Sequence, residues 1–149
     1  MLEIAVCDDE TLVAANIEMM LEELALKTAT LITTDVFYDG STLVDYIKQG
    51  NRYDIIYLDI EMLKQNGVDA ARVIREWDKN VLIIYVTSHE SFAKEVFEVS
   101  AFRFITKPID KKLFSKYFED AKKAIMGKPK YFQYKYNNCL LYTSPSPRD

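Results

Sequence analysis

Two cysteines among 149 residues, Cys7 and Cys139, are too few and too far apart in sequence for a disulfide framework. A reducing compartment is the simpler expectation. The single histidine, His89, has no companion with which to build a histidine-rich metal cluster. Basic excess is also missing. Nineteen Lys and Arg face 23 Asp and Glu, for a net charge of −4, so any contact with DNA would need a separate module. No apolar run is long enough to span a bilayer. The amino terminus, Met-Leu-Glu-Ile-Ala-Val-Cys-Asp, has neither a basic start nor a long apolar stretch. No signal peptide or membrane span is expected, and the prediction is a cytoplasmic protein. There are no internal repeats beyond an alternation of two periodicities.

What is present is an apolar content of 49% and an aromatic content of 13%, enough for a real core and against disorder. The length suits one full domain and a fragment of a second. Strand-like runs are expected at 2–7, 30–38, 54–58, 81–86 and 102–106. Between them lie helical patterns. Val13, Ile17, Met20, Leu21 and Leu24 mark one face of the first helix. Asp39-Gly40-Ser41 opens a second helix carrying Leu43, Val44 and Ile47, ended by Gly50 and Asn51. Gly67 precedes a third, with Ala70, Ala71, Ile74 and Trp77. A fourth is expected from about 90 to 99. The last runs from 111 to 126, with Leu113, Phe114, Tyr117, Phe118, Ala121 and Ile125 inward.

Five strand–helix units in succession predict a doubly wound α/β fold. The first, third and fourth strands are nearly all apolar, as strands covered on both faces must be. Right-handed crossovers leave few topologies, and the order 2-1-3-4-5 puts those three strands in the centre.

Several runs end on residues that carry chemistry. The first delivers Asp8 and Asp9, the third Asp59, the fourth Thr87, and the fifth Lys107 followed by Pro108. In open α/β sheets ligands bind beyond the carboxyl ends of the strands, so these groups are expected to meet on one edge. Three acids, a hydroxyl and an ammonium suit a divalent cation and a phosphoryl group. Taken singly, each has a plainer reading. Asp8, Asp9 and Glu10 could favour a helix start, Lys107 could be solvated, Cys7 and Phe104 could be core, and His89 could be an exposed loop residue.

The spacings add specificity: 8 positions from Asp59 to Gly67, 28 from Asp59 to Thr87 and 20 from Thr87 to Lys107. With Asp8-Asp9 after the first strand, residues 2–126 resemble the receiver domain of bacterial two-component response regulators. Val-Thr-Ser-His, the Phe97–Ile105 stretch leading to Lys-Pro, and a Tyr/Phe run after the linker look most like LytTR-type (LytR/AgrA-like) regulators. The resemblance implies a flavodoxin-like (βα)5 receiver. In it Asp59 accepts a phosphoryl group from a sensor histidine kinase. Asp8, Asp9 and Asp59, with the backbone carbonyl of Glu61, hold Mg²⁺. Lys107 and Thr87 contact phosphoryl oxygens, and Thr87 and Phe104 form the switch. Glu61 and His89 tune the lifetime of the acyl phosphate. Lys107-Pro108 is a cis peptide, and the fourth helix, fifth strand and fifth helix offer a homodimer surface. The chain is thus read as a phosphoacceptor with self-catalysed transfer and hydrolysis, and not as an enzyme acting on a separate substrate.

One departure is Leu63, where receivers usually have proline four residues after the acceptor. It bears on loop rigidity and removes no chemical group. Residues 127–130 read as a linker, 131–141 as the truncated start of a LytTR-like output domain that would bind DNA when complete, and 142–149 as a non-native tail. Two other functions stay open on the residues alone. One is an aspartyl-phosphate hydrolase using Glu61 as its second acid, although no cap is present. The other is a phosphate-independent interaction module.

Overall fold

The structure is a computed structural model that describes residues 1–62, 66–88 and 100–127. Its strands are β1 (Leu2–Cys7), β2 (Ile32–Phe37), β3 (Ile55–Leu58), β4 (Leu82–Thr87) and β5 (Arg103–Thr106). All pair in parallel, in the order 2-1-3-4-5. The three central strands are the three most apolar. Every residue of β3 is buried, and β4 exposes only part of Leu82. On the outer strand β2, Thr33 and Asp35 are exposed, which accounts for the weaker apolar signal there.

The helices are α1 (Thr11–Lys27), α2 (Gly40–Lys48), α3 (Gly67–Trp77) and α4 (Lys111–Met126). Side chains alternate across a strand, so each central strand feeds two cores. Ala5, Cys7, Ile56, Leu58, Ile83 and Tyr85 share one core with Leu43, Val44 and Ile47 of α2 and Val68, Ala71 and Ile74 of α3. Ile4, Val6, Ile55, Tyr57, Ile84 and Val86 are buried on the alternate side. The buried residues of α1, Ile17, Leu21 and Leu24 among them, stand outside the first core, and α1 packs on β1 and β2. This is the doubly wound, flavodoxin-like arrangement.

Local chemistry sets the helix starts. Asp39 accepts the backbone N–H of Thr42 at the head of α2, and Asn66 accepts that of Asp69 at the head of α3. The floor of the sheet is tied by Arg75, whose guanidinium donates to the carbonyls of Val81 at 2.7 Å and Ser100 at 3.0 Å. The β3–α3 residues 63–65 (Leu63 among them), the helix expected at 90–99, His89, and everything beyond Gly127 lie outside the described residues.

Two compact units divide the chain, Met1–Phe114 and Ser115–Asp149. The first holds the whole sheet, α1 to α3 and the first residues of α4. In the second, the remainder of α4 carries Lys116–Asp120 and Lys122–Glu119 pairs at 3.5 and 3.8 Å, and buries Phe118, Ala121 and Ile125. Some inward assignments need correction. Trp77 is 46% exposed. It is the last residue of α3, and extended Asp78 follows at once, so no further turn brings it over the core. Val13, Leu113 and Tyr117 are half-buried.

Tyr57 is fully buried with its ring stacked on Phe114 at 5.2 Å, and its hydroxyl finds no partner among the described residues. A buried hydroxyl without a bond is destabilising by about 1–3 kcal/mol. Tyr57→Phe is therefore expected to raise the urea midpoint, by about 1 kcal/mol of stability. A lower midpoint would mean that the hydroxyl is bonded after all.

Candidate functional site

The carboxyl ends of β1, β3, β4 and β5 lie along one edge of the sheet, and backbone bonds carry the ladder one residue beyond each strand. Asp8 N–H donates to the Phe37 carbonyl at 3.1 Å, and Asp59 N–H to the Cys7 carbonyl at 3.0 Å. Two acids are thereby held side by side. Lys107 N–H donates to the Thr87 carbonyl at 2.9 Å, and the Lys107-Pro108 peptide is cis. The lysine side chain reaches the acids at the strand ends. Its ammonium lies 3.0 Å from Asp8 Oδ2, 3.6 Å from Asp59 Oδ2 and 3.8 Å from Glu10 Oε1.

Asp59 is only 5% exposed. Burial, and then repulsion from Asp8, push its pKa up to about 6, against the pull of Lys107 and of hydrogen bonds from the Thr87 hydroxyl and the Glu61 backbone. Burial also raises Asp8, opposed by bonds from the Glu10 N–H and from Lys107. For Lys107, burial pulls downward, but its bond to Asp8 and attraction to Asp59 prevail and hold it above its ordinary value. The site thus keeps more negative charge than its one ammonium offsets.

Ligand oxygens of Asp8, Asp9 and Asp59 all lie within 4.8 Å of one another. Octahedral Mg²⁺ with ligands at about 2.1 Å needs oxygens roughly 3 to 4 Å apart, so a small inward movement suffices. Hard carboxylate donors and the uncompensated charge also fit a divalent cation. The simple capping role for this segment has little support. Glu10 is the N-cap of α1 but makes no side-chain cap bond.

Gly67 closes the site from beneath. Its N–H donates to the Ile60 carbonyl at 2.7 Å. A Cβ at this position would overlap the Asp59 carbonyl oxygen and come within 2.8 Å of Ile60 Cα. The spacing from Asp59 singled this glycine out, but nothing in the sequence pattern says how close the two backbones come. Glu10 is a second residue whose place was not foreseen. Adjacency to Asp9 was the only signal, and the position of Lys107 draws it in. Below the acids, Cys7 Sγ contacts Met62 Sδ at 3.7 Å and the Asp39 carbonyl at 3.4 Å.

The structure therefore brings together Asp8, Asp9, Asp59, Thr87 and Lys107, with the Glu61 backbone beside them. The Glu61 side chain is exposed. Phe104 lies half-buried on β5, its ring 6.4 Å from that of Tyr85.

Solved structures share this architecture. The response regulatory domain of protein mrkE from Klebsiella pneumoniae superposes with a TM-score of 0.75 at 23% identity, over 85% of this chain and 99% of that one. Response regulator protein TrrA from Thermotoga maritima, solved in complex with Mg(2+)-BeF, gives a TM-score of 0.66 at 26% identity over 81% and 99%. Among curated proteins, sensory transduction protein LytR from Staphylococcus epidermidis is 39% identical over 61 residues, 41% of this chain and 24% of that protein. Sensory transduction protein LytT from Bacillus anthracis is 27% identical over 112 residues, 74% and 43% of the two. The chain spans less than half the length of these relatives. With the model of the response regulator receiver domain matching residues 4–119, and with relatives of the LytR and LytT type, the chain belongs to the receiver-domain family of two-component response regulators.

Proposed function

We propose that this chain receives a phosphoryl group on Asp59 and uses it to switch an output domain that regulates transcription. The observation that carries the reading is the buried Asp59 carboxylate, flanked by two acids, a hydroxyl and an ammonium on one sheet edge. An Asp59 oxygen attacks phosphorus of a kinase phosphohistidine, the P–N bond breaks, and the imidazole leaves with a proton. Asp8, Asp9 and Asp59, with the Glu61 carbonyl, would hold Mg²⁺, which supplies positive charge to the transferring oxygens. TrrA bears Mg(2+)-BeF in its solved structure, which supports the same chemistry here.

Once Asp59 carries the acyl phosphate, Lys107 and the Thr87 hydroxyl exchange carboxylate oxygens for phosphoryl oxygens. The added charge, roughly −1.5 to −2, is enough to bias a two-state element. Phe104 is the aromatic partner of that switch, and phosphorylated copies would pair through the surface of the fourth helix expected from the sequence, β5 and the helix that follows it. Residues 1–126 form the receiver, 127–130 the linker and 131–141 the start of an output domain of LytTR type, with 142–149 a non-native tail. The setting is cytoplasmic.

Acetyl phosphate with Mg²⁺ is expected to add a single phosphoryl mass to the protein, and none to Asp59→Asn or in EDTA. A folded wild type that gains no mass would shift the reading to a phosphate-independent module. Glu61 and His89, two residues beyond Asp59 and Thr87, are assigned the lifetime of the adduct. Replacing both with alanine is expected to change the dephosphorylation rate several-fold, and an unchanged decay would dismiss that assignment.

A further inference from the structure

One row of side chains crosses the sheet just beneath the acids. At a shared register it takes Phe37 from β2, Cys7 from β1, Leu58 from β3, Tyr85 from β4 and Phe104 from β5. Cys7 and Leu58 immediately precede Asp8 and Asp59, and Tyr85 stands two residues before Thr87 on the same strand. The first four of the row are buried, and Phe104 is half-buried at its end. Tyr85 carries the one hydroxyl in the row, and it donates to the Gly67 carbonyl at 3.2 Å. Its ring meets that of Phe104, with centroids 6.4 Å apart and planes tilted by 43°. Gly67 is in turn pressed on the acceptor. Its N–H bonds the Ile60 carbonyl at 2.7 Å, and there is no room for a Cβ beside the Asp59 carbonyl. One side chain thus touches both the head of α3 under Asp59 and the aromatic of the switch.

We propose that Tyr85 is a positioning residue for phosphoryl transfer. Its hydroxyl holds Gly67, and through it the Asp59 backbone, while its ring carries the place of Phe104 to that contact. The helix itself does not require the bond. Carbonyls in the first turn of a helix are bonded within it, and the groups left over there are N–H groups. What the hydroxyl adds is a tie from β4 to the junction of β3 and α3. The chain of contacts is short and unbroken: Phe104 to Tyr85, Tyr85 to Gly67, Gly67 to Asp59. A shift of Phe104 bears on the ring whose hydroxyl secures Gly67, and a loosened Gly67 unsettles Ile60 and the Glu61 carbonyl beside the acceptor. Placement of the attacking oxygen governs the rate of transfer, so the tie acts on the chemistry without touching the phosphoryl group. The effect on transfer rests on the phosphoacceptor reading; the tie to Gly67 does not.

Tyr85→Phe in the full chain tests it, because the ring stays and no acceptor is orphaned, so the variant folds. Hydrogen exchange followed by NMR is expected to show the Gly67 amide opening about two- to tenfold more often, the worth of one hydrogen bond, with the amides of β1 unchanged. With acetyl phosphate and Mg²⁺, the maximal rate of phosphorylation is expected to fall by a similar factor, at an unchanged half-saturating acetyl phosphate. Phe104→Leu is expected to change that rate in the wild-type background and much less in Tyr85→Phe, since the hydroxyl is the link between them. An unchanged Gly67 amide overturns the tie. A lower melting temperature with an unchanged phosphorylation rate overturns the positioning role and leaves Tyr85 a packing residue. No effect of Phe104→Leu, or an equal effect in both backgrounds, overturns the link to the switch. If the wild type takes up no phosphoryl group, the phosphoacceptor reading falls, and the Gly67 amide alone still decides the tie.

Discussion

Gly67→Ala is expected to cost at least about 3 kcal/mol, the upper end of what overpacking usually costs. The added carbon has nowhere to go. It would overlap the Asp59 carbonyl oxygen and crowd Ile60 Cα at 2.8 Å, and both obstacles are backbone that cannot rotate aside. Relief requires moving the head of α3 away from the end of β3. That would stretch the 2.7 Å bond from Gly67 N–H to Ile60 and the 3.2 Å bond from the Tyr85 hydroxyl to the Gly67 carbonyl. A fall in melting temperature of about 6–12 °C follows for a chain of this size. The variant that still folds should also phosphorylate more slowly, because the residue displaced is the one bearing the acceptor. Thermal melts together with the acetyl phosphate assay check both parts. A melt within a degree of wild type would mean that the two backbones are not in close approach.

Asp59→Asn is expected to do the opposite to stability. At neutral pH the Asp59 carboxylate is ionised in a place that disfavours it, with its pKa raised from 3.8 to about 6 by burial and by Asp8. A raised carboxylate pKa means that the folded state binds more protons than the unfolded one between about pH 4 and 6. Stability of the metal-free protein therefore falls as pH rises through that window and is lowest above it. Two pH units set a ceiling of about 3 kcal/mol. The uncharged asparagine escapes this penalty. In EDTA at pH 7, Asp59→Asn should melt several degrees above wild type, and the gap should close towards pH 4. Mg²⁺ should reverse the order, because wild type keeps three carboxylates for the cation and the variant two. A variant less stable than wild type in EDTA at pH 7 would show that the pull of Lys107 outweighs the burial and repulsion around Asp59.

These two residues also show what could be read from the residues alone. Asp59 was legible because an apolar run that must be buried on both faces ended abruptly on a charge, and three other strands ended on complementary groups. Strand positions and order followed from the same apolar runs, to within a residue or two. Gly67 was legible as a spacing but not as a contact, because close approach of two backbones leaves no trace in periodicity. The inward face of α1 was legible, because the offsets picked out Ile17, Met20, Leu21 and Leu24, all buried, and left out Leu12, Met19 and Leu26, all exposed. Trp77 misled in the other direction. It continues the α3 pattern by three residues, yet the helix stops there.

Cys7 offers an internal clock. The thiol sits directly before Asp8, 1% exposed, and burial followed by the surrounding acids holds it protonated. A protonated, enclosed sulfur does not react with alkylating reagents. It becomes reactive only in moments when β1 parts from its neighbours. Its labelling rate therefore counts how often the strand beneath the acids opens. Metal or phosphoryl occupancy above it, by fastening those strand ends, would slow that count. The chain carries its own chemical record of whether its upper edge is closed.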